Sequence, residues 1–391
     1  MPPGPWLRLT AIAGAGATAV AAASGALGVG TAHRALAAFA VPPLAAVVGS
    51  AWIAHRRLLG PSLTALFLFG LAALVTFHPL HVALAAASLA AASVSAAQTF
   101  RGVPVPSSGL RDYLTLTKPR IMVLLLLTGF CGMCVAARGL PAAGLAAATM
   151  AGLALACGGA SALNHVLDAD IDRFMRRTDR RPVAARRVPP SRALEFGLAL
   201  SALSFVLLAS TVNLLTALLA LVGNLFYVLV YTRWLKRSTP QNIVIGGAAG
   251  AVPPLVGWAA ATGNLTLPAL FLFLIVFLWT PPHFWALALL IRREYEAARV
   301  PMLPVVRGER ETARQIVLYS LVLVAATMLP FAWGTLGVAY LAAALVLGAL
   351  FLRLALRLRR ETSPARASAL FHFSLLYLAL LFIAMAVDPL L

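Results

Sequence analysis

The chain is 391 residues long, 61% hydrophobic and only 11% charged, with a mean hydropathy of +0.90; that balance excludes a soluble globular domain. Apolar runs of about 20 residues, the length a helix needs to cross a bilayer, recur along it, so the expected fold is an all-α polytopic membrane protein. The formal net charge of +19 does not point to nucleic acid, because Lys and Arg cluster between apolar runs, as they do in loops facing anionic lipid.

Four apolar runs open the chain, at roughly 9–30, 35–54, 61–77 and 80–97. The first begins behind Arg8 and is too long for a signal peptide, so it reads as a retained anchor. This early block, residues 1–100, is Ala-rich and holds four of the seven histidines, His33, His55, His78 and His81. A polar, Pro-containing linker over 101–119 carries Asp112 and separates it from a second block, 120–391. Nine runs follow there, at roughly 120–137, 141–165, 192–211, 213–231, 242–262, 268–290, 313–334, 336–356 and 369–390. With a cytoplasmic N-terminus, thirteen spans leave only Arg34 and Arg138, of 31 Lys and Arg, on the outer side. One span too many or too few would destroy that asymmetry, so the expected location is the cell membrane with the basic loops cytoplasmic. Cys131, Cys134 and Cys157 all lie in apolar runs. The first two have C-x-x-C spacing but lack a second pair or a nearby histidine, so they read as small packing residues.

The chemistry is concentrated in Asn164 to Pro182 (NHVLDADIDRFMRRTDRRP), which holds four of the twelve acids, Asp168, Asp170, Asp172 and Asp179. At about 100° per residue, Asn164, Asp168 and Asp172 fall on one helical face. Oxygen ligands in a row suit a hard cation such as Mg²⁺. Arginines close behind suit phosphate oxygens. An isolated acidic triplet is more often a solvated loop, but here it continues an apolar helix, where uncompensated charge is costly. A second acidic cluster runs from Arg292 to Pro304, with Glu294 and Glu296, and continues to Glu309 and Glu311. Both clusters fall on the cytoplasmic side, where two sets of carboxylates could hold metal ions around a diphosphate. Equally, Glu294 and Glu296 could simply pair with Arg292, Arg293 and Arg299. A third stretch on that side, Tyr231 to Asn242, reads as a loop in which Lys236 and Arg237 could reach phosphate; its plainer reading is an interface anchor. His283, in Pro281-Pro-His-Phe-Trp285, is either an iron ligand or a buried hydrogen-bonding group, and His372 is a similar candidate. His165 lies about 100° round from Asn164 and is expected to face a neighbouring helix.

Asn164-His-Val-Leu-Asp168-Ala-Asp-Ile-Asp172, with Met175, Arg177-Thr178 and Arg181-Pro182, resembles the first motif of the UbiA-type intramembrane prenyltransferases. Three further stretches, 232–260, 280–289 and 294–308, resemble the haem-farnesylating branch of that superfamily. The resemblance covers about 113–390 and implies a nine-helix prenyltransferase bundle, preceded here by about four extra transmembrane helices. It implies transfer of farnesyl from farnesyl diphosphate to a vinyl group of haem b, giving haem O for terminal-oxidase haem. By the same resemblance Asn164, Asp168 and Asp172 are metal ligands, Asp168, Asp172 and Lys236 catalytic, and Arg177, Arg181 and Lys236 diphosphate ligands, with Arg237 beside them. Mg²⁺ is the implied cofactor. The second acidic motif departs from the superfamily, whose aspartates are usually spaced four apart; Glu294 and Glu296 stand there, on either side of Tyr295. The early block resembles half of a haem A synthase, which would make a haem A synthase-like bundle a partner. A quinone-type acceptor is the alternative within the class. A transporter is the alternative outside it, disfavoured because the acids sit at helix ends on one side rather than mid-membrane.

Overall fold

Each apolar run of the second block becomes a helix, because a chain in hydrocarbon has to satisfy its backbone N–H and C=O groups internally. The computed structural model describes residues 109–391. Among these, nine helices are long and apolar enough to cross a bilayer: α1 (Pro119–Ala137), α2 (Ala143–Leu167), α3 (Pro190–Thr211), α4 (Leu214–Ser238), α5 (Asn242–Thr262), α6 (Leu267–Leu290), α7 (Gly308–Ala332), α8 (Val338–Arg360) and α9 (Pro364–Leu390). The described residues contain no strand. The four early spans with their histidines, and the linker up to residue 108, lie outside the described residues.

Successive helices pack against one another, α9 returns to α1 and α6 also meets α9. Small residues allow the close approaches. A Cβ on Gly159 of α2 would meet the Gly197 carbonyl of α3 at 2.8 Å, and one on Gly197 would meet the Gly159 carbonyl at 3.1 Å. Between α1 and α5, a Cβ on Gly132 would lie 2.7 Å from the Pro254 carbonyl oxygen. Such contacts are how membrane helices associate when lipid offers no hydrophobic drive. Helix α5 is the most enclosed, 67% of its apolar window being buried, and α6 follows at 56% against 39% or less for the others. The remaining helices turn Leu and Val outward, among them Leu218, Val222, Leu225 and Leu229 on α4.

One boundary differs in a way that matters. The apolar run ends near 231, and the sequence places a loop from there to Asn242; the helix instead continues to Ser238. Phe226–Leu235 is wound as a π-helix, the wider winding that tends to occur at functional positions. It carries Thr232 and Lys236 to buried positions while Trp234 stays 64% exposed at the rim.

Candidate active site

Helix α2 ends at Leu167, and Asp168 breaks it with φ −94° and ψ 3°. A further turn, Ala169–Asp172, keeps the helical stacking, since the Asp168 amide donates to the Asn164 carbonyl at 2.9 Å and the Asp172 amide to the Asp168 carbonyl at 2.8 Å. The expected i, i+4, i+8 row therefore survives the break. Asn164, Asp168 and Asp172 are 3%, 1% and 1% exposed.

Carboxylates buried this deeply need partners. Lys236 Nζ donates to Asp168 Oδ2 at 2.6 Å, and Asn164 Nδ2 donates to the same oxygen at 2.7 Å. Arg181 Nη1 donates to both oxygens of Asp172 at 2.9 Å. Asn164 is fixed from both ends: its Nδ2 also donates to Thr232 Oγ1 at 3.1 Å, and its Oδ1 accepts from Lys118 Nζ at 2.7 Å. Lys118 sits in the left-handed region at φ 51°, directly ahead of Pro119. Burial and the nearby Arg181 hold its ammonium well below the usual lysine pKa, against the pull of Asp168; Lys236 lowers it further, and Asp172 raises it.

The second acidic stretch comes to this cluster through one residue. Glu294 Oε2 accepts from the Arg177 backbone N–H at 3.3 Å, whereas Glu296 is exposed. Between them Tyr295 is 2% exposed. Burial raises its hydroxyl pKa, opposed by Arg177 and Arg181. Arg292 pairs with Glu309 at 3.1 Å rather than with either flanking glutamate. Arg237 is directed away from the buried row: its guanidinium donates to both Asp170 oxygens at 2.8 and 2.7 Å and to the Leu167 carbonyl at 2.6 Å, closing the end of α2 from outside. His165 is 1% exposed with neither ring nitrogen hydrogen-bonded, on the enclosed side of α2 as its helical phase requires. His372 is exposed and bonded within its own helix, Nδ1 lying 2.8 Å from the Ser368 carbonyl.

The sequence does not disclose Lys118 or Thr232 as members. Lys118 stands 46 residues before its partner, and Thr232 stands 68 residues after Asn164, just past the end of its apolar run. The one sequence signal for Lys118 is a cation set directly against the first apolar run of the block.

No cluster of three His, Cys, Asp or Glu side chains that could hold a metal ion occurs among the described residues. The donors are an amide and carboxylates in a row, all oxygen. Asp168 Oδ1 is buried with no hydrogen-bond partner, which leaves a free lone-pair site of the type a hard cation takes. The residues therefore fit Mg²⁺ in chemistry.

Residues 125–383 match the UbiA prenyltransferase family. The chain belongs to that family and is a prenyltransferase. Two solved structures share its fold: a digeranylgeranylglyceryl phosphate synthase (TM-score 0.61, 19% identity, covering 72% of this chain and 98% of that one) and an Archaeoglobus fulgidus UbiA homologue bound to DMAPP and Mg²⁺ (TM-score 0.52, 18% identity, 71% and 99%). Sequence relatives narrow the assignment. Protoheme IX farnesyltransferases from Symbiobacterium thermophilum and Gloeobacter violaceus are 58% and 52% identical, over 71% and 74% of this chain and 94% and 95% of theirs. A Roseiflexus relative of the same name is 55% identical, and the chain spans about half of it, 52%. Within the UbiA family the chain falls in the protoheme IX farnesyltransferase branch.

Proposed function

We propose that this enzyme transfers farnesyl from farnesyl diphosphate to a vinyl group of haem b, giving haem O. The reading rests on the buried row Asn164–Asp168–Asp172 with Lys118, Lys236 and Arg181 against it, in a chain whose full-length relatives carry that activity in their name. Asn164, Asp168 and Asp172 would hold Mg²⁺, with Glu294 rather than Glu296 at the edge of the set. Bound there, the metal supplies charge neutralisation for the departing diphosphate.

The chain's own residues supply the rest. Lys236, Arg181 and Arg177 bind phosphate oxygens and favour breakage of the bond between farnesyl C1 and oxygen, because they stabilise the charge that develops on the leaving group. The helix-lined interior keeps water from the allylic cation until a vinyl carbon meets it. A C–C bond forms, and water adds to the cation left on the acceptor side chain. The sum is haem b, farnesyl diphosphate and water giving haem O, diphosphate and a proton. His283 would ligate the haem iron.

We place the catalytic face on the cytoplasmic side of the cell membrane, supported by the distribution of Lys and Arg. We assign catalysis to 120–391 and a supporting role to 1–100, to which the haem A synthase resemblance would give haem delivery. The Symbiobacterium relative supports the division, since nearly all of it is matched by 281 residues of this chain. The test is pigment chromatography of membranes expressing the chain in a host that makes no haem O. Haem O is the expected product. Its absence with haem b abundant, alongside prenylation of an added quinone precursor, would favour the other acceptor.

A further inference from the structure

Aromatic residues of α6 and α9 form a second cluster, built on residues outside the carboxylate row. The His283 ring is stacked against Trp279, with centroids 4.3 Å apart and planes at 14°, and against Phe371 at 4.9 Å and 21°. Stacking leaves the imidazole edge able to act. On that edge Nδ1 lies 2.6 Å from Ser374 Oγ. Ser374 is fully buried, and its hydroxyl has a single proton. The Phe371 carbonyl, 2.6 Å from Oγ, takes that proton. Oγ therefore accepts at His283, and Nδ1–H donates to it.

The other nitrogen follows. No hydrogen bond to Nε2 occurs among the described residues, and His283 is half-buried where His165 is fully enclosed. Ser374 is itself anchored, its carbonyl accepting from Trp279 Nε1 at 2.8 Å. A neutral imidazole with Nδ1–H tied down and Nε2 open is the tautomer that ligates iron, and ligating histidines are commonly oriented through that other nitrogen. We propose that Ser374 is a positioning residue: it holds His283 in the Nδ1–H tautomer so that Nε2 meets the iron of the haem acceptor, with Trp279 and Phe371 fixing the ring plane. The proposal rests on the reading of His283 as the haem ligand.

The test loads the purified full chain with haem b, reduces it, and measures the iron–histidine stretch by resonance Raman alongside haem affinity by titration. Native protein should show the stretch; His283→Ala should lose it and regain a ligand band with added imidazole. Ser374→Ala keeps the main-chain carbonyl that holds Trp279. It should retain the stretch at lower frequency, since Nδ1–H loses its acceptor, and bind haem about 10- to 100-fold more weakly. Ser374→Thr should restore both. Ser374→Cys, close in shape with a weak acceptor, should shift the band in the same direction as Ser374→Ala and serves if the alanine variant does not fold. Native frequency and affinity in Ser374→Ala or Ser374→Cys would overturn the role of Ser374 and leave His283 as ligand. A native stretch in His283→Ala would overturn both.

Discussion

Lys236→Met tests whether the carboxylate row is held by charge rather than by packing. Methionine keeps the length and apolar stem but removes the ammonium 2.6 Å from Asp168 Oδ2. The Asp168 side chain is 1% exposed and that of Lys236 11%, so water screens the pair little. Breaking a buried pair by removing one partner costs about 3–5 kcal/mol, because the remaining charge is left uncompensated. Here Asn164 Nδ2 would remain as the only donor to the carboxylate, which argues for the full range. At about 2 °C per kcal/mol or less for a chain this long, melting of the detergent-solubilised protein should fall by roughly 5–10 °C. The double variant Lys236→Met with Asp168→Asn removes both charges and should recover most of the loss. Added Mg²⁺ should raise the melting temperature of Lys236→Met more than that of the native chain, since the metal no longer competes with the lysine for Asp168. A Lys236→Met protein that melts with the native one, or a double variant no more stable than the single, would refute the reasoning.

Asp172→Asn halves the charge available to a metal while keeping the shape; haem O formation in membranes should drop by at least about 100-fold, and chelation with EDTA should stop the native enzyme until Mg²⁺ is restored. Gly257→Ala drives a methyl into the Gly129 carbonyl across the α1–α5 contact; because backbone cannot yield as a side chain does, a loss of about 1–3 kcal/mol is expected in reversible unfolding. Asp170, held down to about 2 chiefly by the hydrogen bond from Arg237, contributes stability above its ordinary pKa of 3.8 and loses it as pH falls towards 2. The Asp170 carboxylate is 65% exposed, so Asp170→Asn should cost less than about 1 kcal/mol at neutral pH, and the difference from native in urea unfolding should shrink below about pH 4. A chain starting at Ser107 should insert and still make haem O per unit of inserted protein, with yield lowered only through haem supply; a well-inserted but inactive product would place the early block in the active site.

The nine spans were legible because a bilayer imposes length and hydropathy on each helix separately. The i, i+4, i+8 row was legible for a similar reason, since it is local in sequence. Partners set by tertiary packing were not. Lys118 meets Asn164 only because the entry to α1 comes to lie beside the end of α2, and nothing near residue 118 encodes that. Thr232 and Lys236 lie beyond the apolar run, which ends near Tyr231; hydropathy stops the helix there, and the contacts of Thr232 with Asn164 and of Lys236 with Asp168 emerge only from the continued winding to Ser238. Which glutamate approaches the cluster turns on the phase of one short helix, Arg292–Ala297, which buries Tyr295 and brings Glu294 to the Arg177 amide. Arg237 looked like a phosphate ligand by proximity to Lys236, yet one position round the helix it faces Asp170 instead.

Basic side chains outnumber carboxylates in the buried row. Lys118, Lys236 and Arg181 lie against Asp168 and Asp172, with Asn164 contributing only a dipole. So many ionisable groups in a water-poor site are costly, and a protein selected for stability alone would replace them with apolar side chains of similar volume. The same basic groups favour an anion that enters the site, more so because the low dielectric strengthens each contact. Each basic group rests on a carboxylate or on Asn164, so under the proposed function it would meet a phosphate already desolvated and oriented, which would lower the reorganisation the reaction has to supply. On that reading the carboxylates would do two things with the same atoms: they hold the basic groups in place, and Asp168 Oδ1, a buried oxygen with no hydrogen-bond partner, would be the position for a metal that comes with the diphosphate.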